Sequence, residues 1–409
     1  MVYHGNHLEY GPNGESTSNQ HEPSRDSSIM HAALEGLRIL DLSRILAGPF
    51  ATQNLADFGA DVIKVEAPWG DDTRKWGPPF VETDGEKTAA YFYSCNRGKR
   101  SISIDMKTDE GRTLLRKLAL KADVIVENMK VGTLTRMGFD PNELIKENDK
   151  LIICQITGFG QTGPRSSQPG YDVALQGISG IMSVTGEKDG PPIKVGVAWI
   201  DVLTGFAATS AILAALHHRN ITGKGQIIDL SLFDVALMSM VNQAQNWITS
   251  GISPIRMGHA HPNIVPYQAF EASDGWFILA TGNDAQYVSV CDVIERPDLS
   301  SSPFDTNAGR LSQRDNLIGE LKKIFLTKSI DYWLENFGKS GVPCSPIFDI
   351  GQSFMDSHSI DRGAIWTLDD GTPSVASAFR FFSDTPARPS RGPPKLDEHR
   401  DEIIHDWLS

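Results

Sequence analysis

Cysteine is scarce in this chain of 409 residues. The four that occur, Cys95, Cys154, Cys291 and Cys344, are not spaced as zinc ligands or as a redox pair. A reducing compartment and no structural metal are therefore expected. Basic residues are in deficit, with 38 Lys and Arg against 51 Asp and Glu, and a net charge of −13 argues against broad binding to nucleic-acid phosphates. Any polyanionic ligand must find a local basic pocket. No apolar run reaches the roughly 18 to 20 residues of a bilayer span. The best candidate, 201–216, is short and broken by Thr204, Thr209 and Ser210, so no membrane is expected as a partner. A nucleophile elbow, a P-loop and a paired-histidine metal motif are also missing.

What remains is an ordinary globular composition, 40% hydrophobic and 22% charged, in a chain long enough for two domains. Residues 1–34 are the exception. Gly, Asn, Ser, His and Pro dominate there and aliphatic residues are few, which predicts a disordered N-terminal tail. Glu9, Glu15, Glu22 and Asp26 against Arg25 do not suit an Arg-rich transit peptide, and the terminal Asp-Trp-Leu-Ser is not a peroxisomal address. A cytoplasmic location is the expectation.

Ordered signals start near Leu37. The alternation over 37–42 predicts a strand, and a loop over 43–49 leads to a helix that carries Phe50, Leu55 and Phe58 and stops at Gly59. A strand over 61–66 follows. Strands over 101–105, 123–127 and 151–156 and a helix over 109–121 continue the alternation, which predicts an α/β fold with a mostly parallel, Rossmann-like sheet. The first turn, Leu-Ala-Gly-Pro-Phe-Ala, lacks the glycine spacing of a dinucleotide site. Helices over 201–218 and 232–250 come next, then a hairpin over 266–281 and helices over 285–294, 312–326 and 330–338. A buried strand over 346–350, a Pro-rich stretch over 386–394 and a terminal helix close the chain. The predicted organisation is a large domain over 35–229, a smaller α/β insertion over 230–335, and a return to the large domain over 336–409.

Among acids, Asp201 stands between an apolar run, Val195 to Ile200, and an apolar helix. It is either an N-cap or a partly desolvated carboxylate suited to nucleophilic work. Asp172, after Tyr171, either caps the next helix or joins a site. The glycine loop over 157–163 offers backbone amides to an oxyanion or phosphate. Arg97, Lys99, Arg100 and Lys107, then Asn128, Lys130 and Arg136, fall near successive strand ends, where they are either solvated or phosphate ligands. Arg44 follows the first strand and suits bidentate binding of a carboxylate. His259 and His261 flank Ala260, but no third ligand is near in sequence, so a substrate-facing loop is preferred to a metal site.

Five segments in order, Leu40–Pro49, Ala60–Glu66, Asp123–Asn128, Thr157–Pro164 and Thr222–Gln226, resemble the class III CoA-transferases, and the resemblance spans about residues 35–400. Gly70–Arg74, Val197–Asp201 and Ile264–Phe270 resemble the succinate-hydroxymethylglutarate branch, which acts on dicarboxylates. The resemblance implies Asp201 as the catalytic carboxylate, with Tyr171 and Asp172 beside the thioester. It implies coenzyme A binding by Leu46, Ala47, Ile104, Asp105, Met106, Lys107, Asn128, Met129, Lys130, Arg136, Pro169 and Gly170. Where many relatives carry Arg this chain has Ala67, and Arg74 is the suggested replacement.

The implied reaction moves CoA from an acyl-CoA such as succinyl-CoA to a free carboxylic acid (itaconate, glutarate or hydroxymethylglutarate) through an aspartyl-CoA thioester. A CoA thioester serves as substrate and no cofactor is tightly bound. Arg44, His259 and His261 are the expected partners of a distal carboxylate. The alternatives are a 2-methylacyl-CoA racemase, disfavoured by Tyr171 where that branch has a histidine base, and a non-catalytic CoA-binding protein. The family also implies an interlocked homodimer, and by analogy a mitochondrial location is the alternative to the cytoplasm.

Overall fold

The computed structural model describes residues 32–409 apart from 84, 381 and 389. All but the last three residues of the expected tail lie outside that range. Leu34 is already engaged: its N–H donates to Phe58 O at 2.9 Å and its side chain packs on the core.

Chain order in the large body is β1 (Arg38–Asp41), α1 (Ala47–Asp57), β2 (Asp61–Glu66), β3 (Lys99–Ser103), α2 (Asp109–Lys121), β4 (Val124–Glu127) and β5 (Ile152–Thr157). Then come α3 (Asp172–Ile178), α4 (Trp199–Thr222), β6 (Ile227–Ser231), α5 (Leu232–Ser239) and α6 (Val241–Ser250). The six strands form one parallel sheet in the order β3-β2-β1-β4-β5-β6. Because side chains alternate across a strand, Ile39, Val62, Val124 and Ile152 pack on α1 and α4, while Leu40, Ile63, Ile125 and Ile153 pack on α2. Both faces are covered, which is why the central strands β4 and β5 read as near-continuous apolar runs.

Helices α1 and α4 pack against each other on the same face of the sheet, and Gly205 of α4 permits the approach. A Cβ there would stand 2.7 Å from Phe50 Cδ1 and 3.0 Å from Ala47 O. At 24 residues α4 exceeds the expected 201–218 and is long and apolar enough to cross a membrane. However, Ile200, Ala208, Ile212 and Ala215 are buried in the first cluster, so it is a core helix. The single helix expected over 232–250 is broken at Val241, whose φ is +34°, into α5 and α6.

The smaller body holds β7 (Tyr267–Ala272), β8 (Gly275–Ala280) and β9 (Cys344–Pro346), an antiparallel sheet in the order β9-β8-β7. It is closed by a cluster including Phe270, Phe277, Phe325, Trp333 and Phe337. Its core runs from Val265 to Val342, whereas Leu232 and Ala236 pack in the first core. The strand expected over 346–350 is short and ends at Pro346. Ile347 and Phe348 are exposed, and Asp349 caps a helix over Ile350–Met355. Helix α7 (Arg400–Leu408) packs Ile403 and Trp407 against the large body.

Candidate active site

In the large sheet the order reverses at β1: the chain goes to β2 on one side and to β4 on the other. Crevices at such reversals, outside the carboxyl ends of the strands, are where open α/β sheets bind ligands. The loops after β1, β2, β4 and β5 converge there around a cavity of about 470 Å³. Arg44, Leu46, Ala47, Met106, Asn128, Met129, Lys130, Pro169, Gly170, Tyr171, Asp172 and Asp201 all line it.

Buried charges hold the first of these loops. Ser43 donates to Asp41, Lys64 Nζ donates to Ser43 O at 3.1 Å, and Arg44 N donates to Asn128 Oδ1 at 2.9 Å. Ile45 has a φ of +71°, costly for a β-branched residue, and its N–H is held by Asp71 Oδ2 at 3.2 Å. Asp71 pairs with Lys64 at 2.9 Å. Although burial opposes its ionisation, Lys64 and the Thr73 N–H hold it below the usual carboxylate range. On the far wall, Gly158 and Gly170 touch backbone to backbone, and a Cβ on Gly158 would meet Gly170 Cα at 2.7 Å.

Asp201 is the third residue of α4, not its N-cap. That position is Ala198, which has no capping side chain. Burial, and then the charge of Asp172, push the Asp201 carboxyl up from 3.8 to about 7. Asp172 does not cap its own helix in the usual way either. Its Oδ1 accepts from Ile200 N at 2.7 Å and from Asp201 N at 3.3 Å, so it caps α4 from outside. The result is two carboxylates side by side, one satisfied by helix amides and the other desolvated and facing a cavity, a composition suited to a nucleophile or a proton acceptor.

Several expected ligands stand elsewhere. Arg74 is buried, holding Glu66 with two bonds of 2.8 and 2.6 Å and Pro394 O with a third, so it is not free to replace an arginine at Ala67. Strand β3 begins two residues earlier than expected, which puts Lys99 and Arg100 at its amino end and inside the protein. Lys99 is fully buried against Asp41, and Arg100 binds Asp61, Glu402 and Asp406. Arg97 pairs with buried Asp57. Ile104 is buried in the second core, Asp105 accepts from the Lys107 N–H, and Arg136 turns back to Thr133 Oγ1. None of these lines the cavity.

His259 and His261 are also outside it, against Trp276 and Tyr267 of the smaller body. Among the described residues no three His, Cys, Asp or Glu side chains group as metal ligands. In the glycine loop, Gly160 N donates to Thr157 Oγ1 and Gln161 N to Asp229, so those amides are already taken.

The sequence reading passed over Tyr91 and Trp69. Tyr91 stands near Asp201, and burial followed by that charge raises its phenol to about 12. Its only signal was an aromatic-rich helix, Ala90–Tyr93. Trp69 lines the cavity, is 55% exposed, and has Lys107 Nζ 5.5 Å from its ring centroid. A tryptophan beside the Gly-Asp-Asp turn, unusually placed for so large an apolar side chain, was the available clue.

A family profile described as CoA-transferase family III matches residues 34–400. The succinate–glutarate CoA-transferase of Agrobacterium fabrum is 46% identical over 383 residues, covering 91% of this chain and 94% of that protein. The succinyl-CoA:glutarate CoA-transferase of Homo sapiens is 40% identical over 383 residues, 92% of this chain and 86% of that one. A crystal structure of a CAIB/BAIF family protein from Brucella suis superposes with a TM-score of 0.83 at 46% identity, over 92% of this chain and 100% of that one.

Proposed function

This chain belongs to CoA-transferase family III, and from that premise we propose that it moves CoA from succinyl-CoA to a short dicarboxylate, glutarate first among the acceptors to try. As a CoA-transferase it uses CoA thioesters as substrates. The observation that carries the reading is Asp201, a desolvated carboxylate at the cavity reached by the switch-point loops.

In the proposed sequence Asp201 attacks the thioester carbonyl, the C–S bond breaks, and a mixed anhydride and CoA thiolate form. The thiolate attacks the aspartyl carbonyl, expelling succinate and leaving an aspartyl-CoA thioester. The acceptor carboxylate then reverses both steps. A carboxylate is a weak nucleophile, so desolvation and near-attack placement must supply the rate, and binding of the CoA handle elsewhere drives both.

Leu46, Ala47, Met106, Asn128, Met129, Lys130, Pro169 and Gly170 form the CoA cradle of this proposal, with Lys107 and Trp69 at its rim in place of an arginine at Ala67. Arg44 is its clamp for the distal carboxylate. Arg44 is 60% exposed and bonded to Asp72 at 2.9 Å, a surface pair weak enough for a substrate carboxylate to displace. A homodimer belongs to the same proposal, supported by the exposed apolar side chains Met238, Val241, Trp247, Ile248 and Ile252 on and after α5 and α6.

The test is a transfer assay with succinyl-CoA against mono- and dicarboxylates, read by mass spectrometry. Glutaryl-CoA formation and a trappable Asp201 thioester are expected. Transfer to monocarboxylates alone refutes the substrate class.

A further inference from the structure

Helix α4 draws its cap from another helix, and the device that aims the cap is a side chain outside the cavity. Asp172 on α3 accepts from the first-turn amides of α4 through Oδ1, and its Oδ2 is held by Gln176 Nε2 at 2.6 Å, one turn further along α3. Gln176 is fully buried. Its Nε2 also stands 3.5 Å from Val197 O, and its Oε1 accepts from Val195 N at 2.8 Å. One amide thus ties the segment leading into α4 and, through Asp172, the turn that carries Asp201.

We propose that Gln176 is a positioning residue for CoA transfer: by orienting Asp172 and anchoring residues 195–197, it holds the first turn of α4 with the Asp201 carboxylate toward the cavity. This rests on the reading of Asp201 as the nucleophile. An amide suits the task because it donates and accepts at once and adds no charge beside two carboxylates. Leucine in its place leaves Asp172 Oδ2 and Val195 N without these partners. Protonated glutamic acid reproduces both contacts, its hydroxyl donating to Asp172 and its carbonyl accepting from Val195. Ionised, it loses the donor and repels Asp172.

The groups that set the titration of such a glutamate are Asp172 on α3 and Asp201 on α4, with Tyr91 nearby in charge range of both and Lys194, which bonds Val195 O, on the adjoining loop. On α5, which also packs on α3, the one charged residue is Asp234 at the helix start. Burial and the neighbouring acids raise the pKa of the introduced carboxyl, so its neutral form persists to higher pH than in water.

The experiment compares the full-length parent with Gln176→Leu, Gln176→Glu and Asp201→Ala, using succinyl-CoA and glutarate from pH 5.5 to 8.5 and following unfolding in parallel. Asp201→Ala is expected to show no transfer. Gln176→Leu should lose about 100-fold in kcat at every pH while KM for succinyl-CoA stays within about twofold, the signature of a nucleophile moved by a fraction of an ångström. Relative to the parent, Gln176→Glu should be most active at the acid end and fall as pH rises. Parental kcat in Gln176→Leu, or a Gln176→Glu to parent ratio that is flat with pH, overturns the proposal. If Gln176→Leu does not fold, that ratio decides alone. Transfer retained by Asp201→Ala would instead remove the nucleophile reading and this inference with it.

Discussion

Replacing Asp201 by Asn removes a carboxylate from a place where its charge opposes folding. The group ionises near 3.8 in an unfolded chain and near 7 in the native one, because burial and then Asp172 disfavour the anion. For an acid whose native pKa is raised, stability is greatest where both states are protonated and falls as pH rises from the unfolded to the native value. At about 1.4 kcal/mol per pKa unit, the ionised group destabilises the parent by roughly 2 kcal/mol at pH 5 and roughly 4 kcal/mol at pH 8. The residual exposure of Asp201 makes these upper figures. Asn is neutral throughout, so the stability of Asp201→Asn minus that of the parent should grow by about 2 to 3 kcal/mol between pH 5 and pH 8. For a chain of this length, with an unfolding entropy of about 2 cal/mol/K per residue, that is roughly 3 °C in thermal midpoint. Differential scanning fluorimetry of both proteins at half-unit pH steps measures it, with transfer activity assayed on the same samples. A midpoint difference that is constant with pH, or that shrinks as pH rises, would refute the placement of Asp201 in a desolvated site beside Asp172.

The same titration predicts kinetics: kcat/KM for succinyl-CoA at low substrate should rise through a limb centred near pH 7 as Asp201 ionises, and a limb near 4 would contradict the burial argument. Arg74→Met should lower stability by about 3 to 5 kcal/mol, because buried Glu66 loses its partner, and it should leave KM for succinyl-CoA within twofold. A tenfold rise in KM at unchanged stability would make Arg74 a phosphate ligand after all. Lys130→Ala and Trp69→Ala should each raise KM for succinyl-CoA several-fold with little change in kcat, and titrations with free CoA would expose an unaffected affinity. Arg44→Ala should weaken glutarate more than a monocarboxylate; equal loss for both would remove the clamp.

Five strands of the parallel sheet were legible in the chain because apolar runs and helix stops alternate, whereas the sixth, Ile227–Ser231, carried no expectation and β3 starts two residues before the expected 101. Asp201 was legible for a related reason, as an acid between two apolar stretches is rare enough to notice. Its partner relationship was not. That Asp172 caps the helix of Asp201 depends on α3 and α4 meeting across 29 positions, a contact with no local signature. Gln176 and Tyr91 were hidden in the same way, one looking like an ordinary helical glutamine and the other like core.

The basic residues show most clearly why sequence position misleads. Arg97, Lys99 and Arg100 lie in a run that reads as a phosphate site, yet they stand before or at the amino end of β3, away from the carboxyl-end crevice, and pair with Asp57, Asp41 and Asp61. Lysine and arginine are seldom buried unless paired, and here the acids that pair them come from α1, β1 and β2, far away in sequence. With those cations and Arg74 committed to the interior, the exposed basic side chains that line the cavity are Arg44 and Lys130, with Lys107 beside the lining Trp69. A chain with a net charge of −13 then attracts a CoA polyphosphate only locally, and the attraction is exposed to salt. KM for succinyl-CoA should therefore rise steeply between low and physiological ionic strength while kcat, which the proposed function assigns to the buried Asp201, stays level. A KM indifferent to salt would mean that buried cations, not the rim, hold the phosphates.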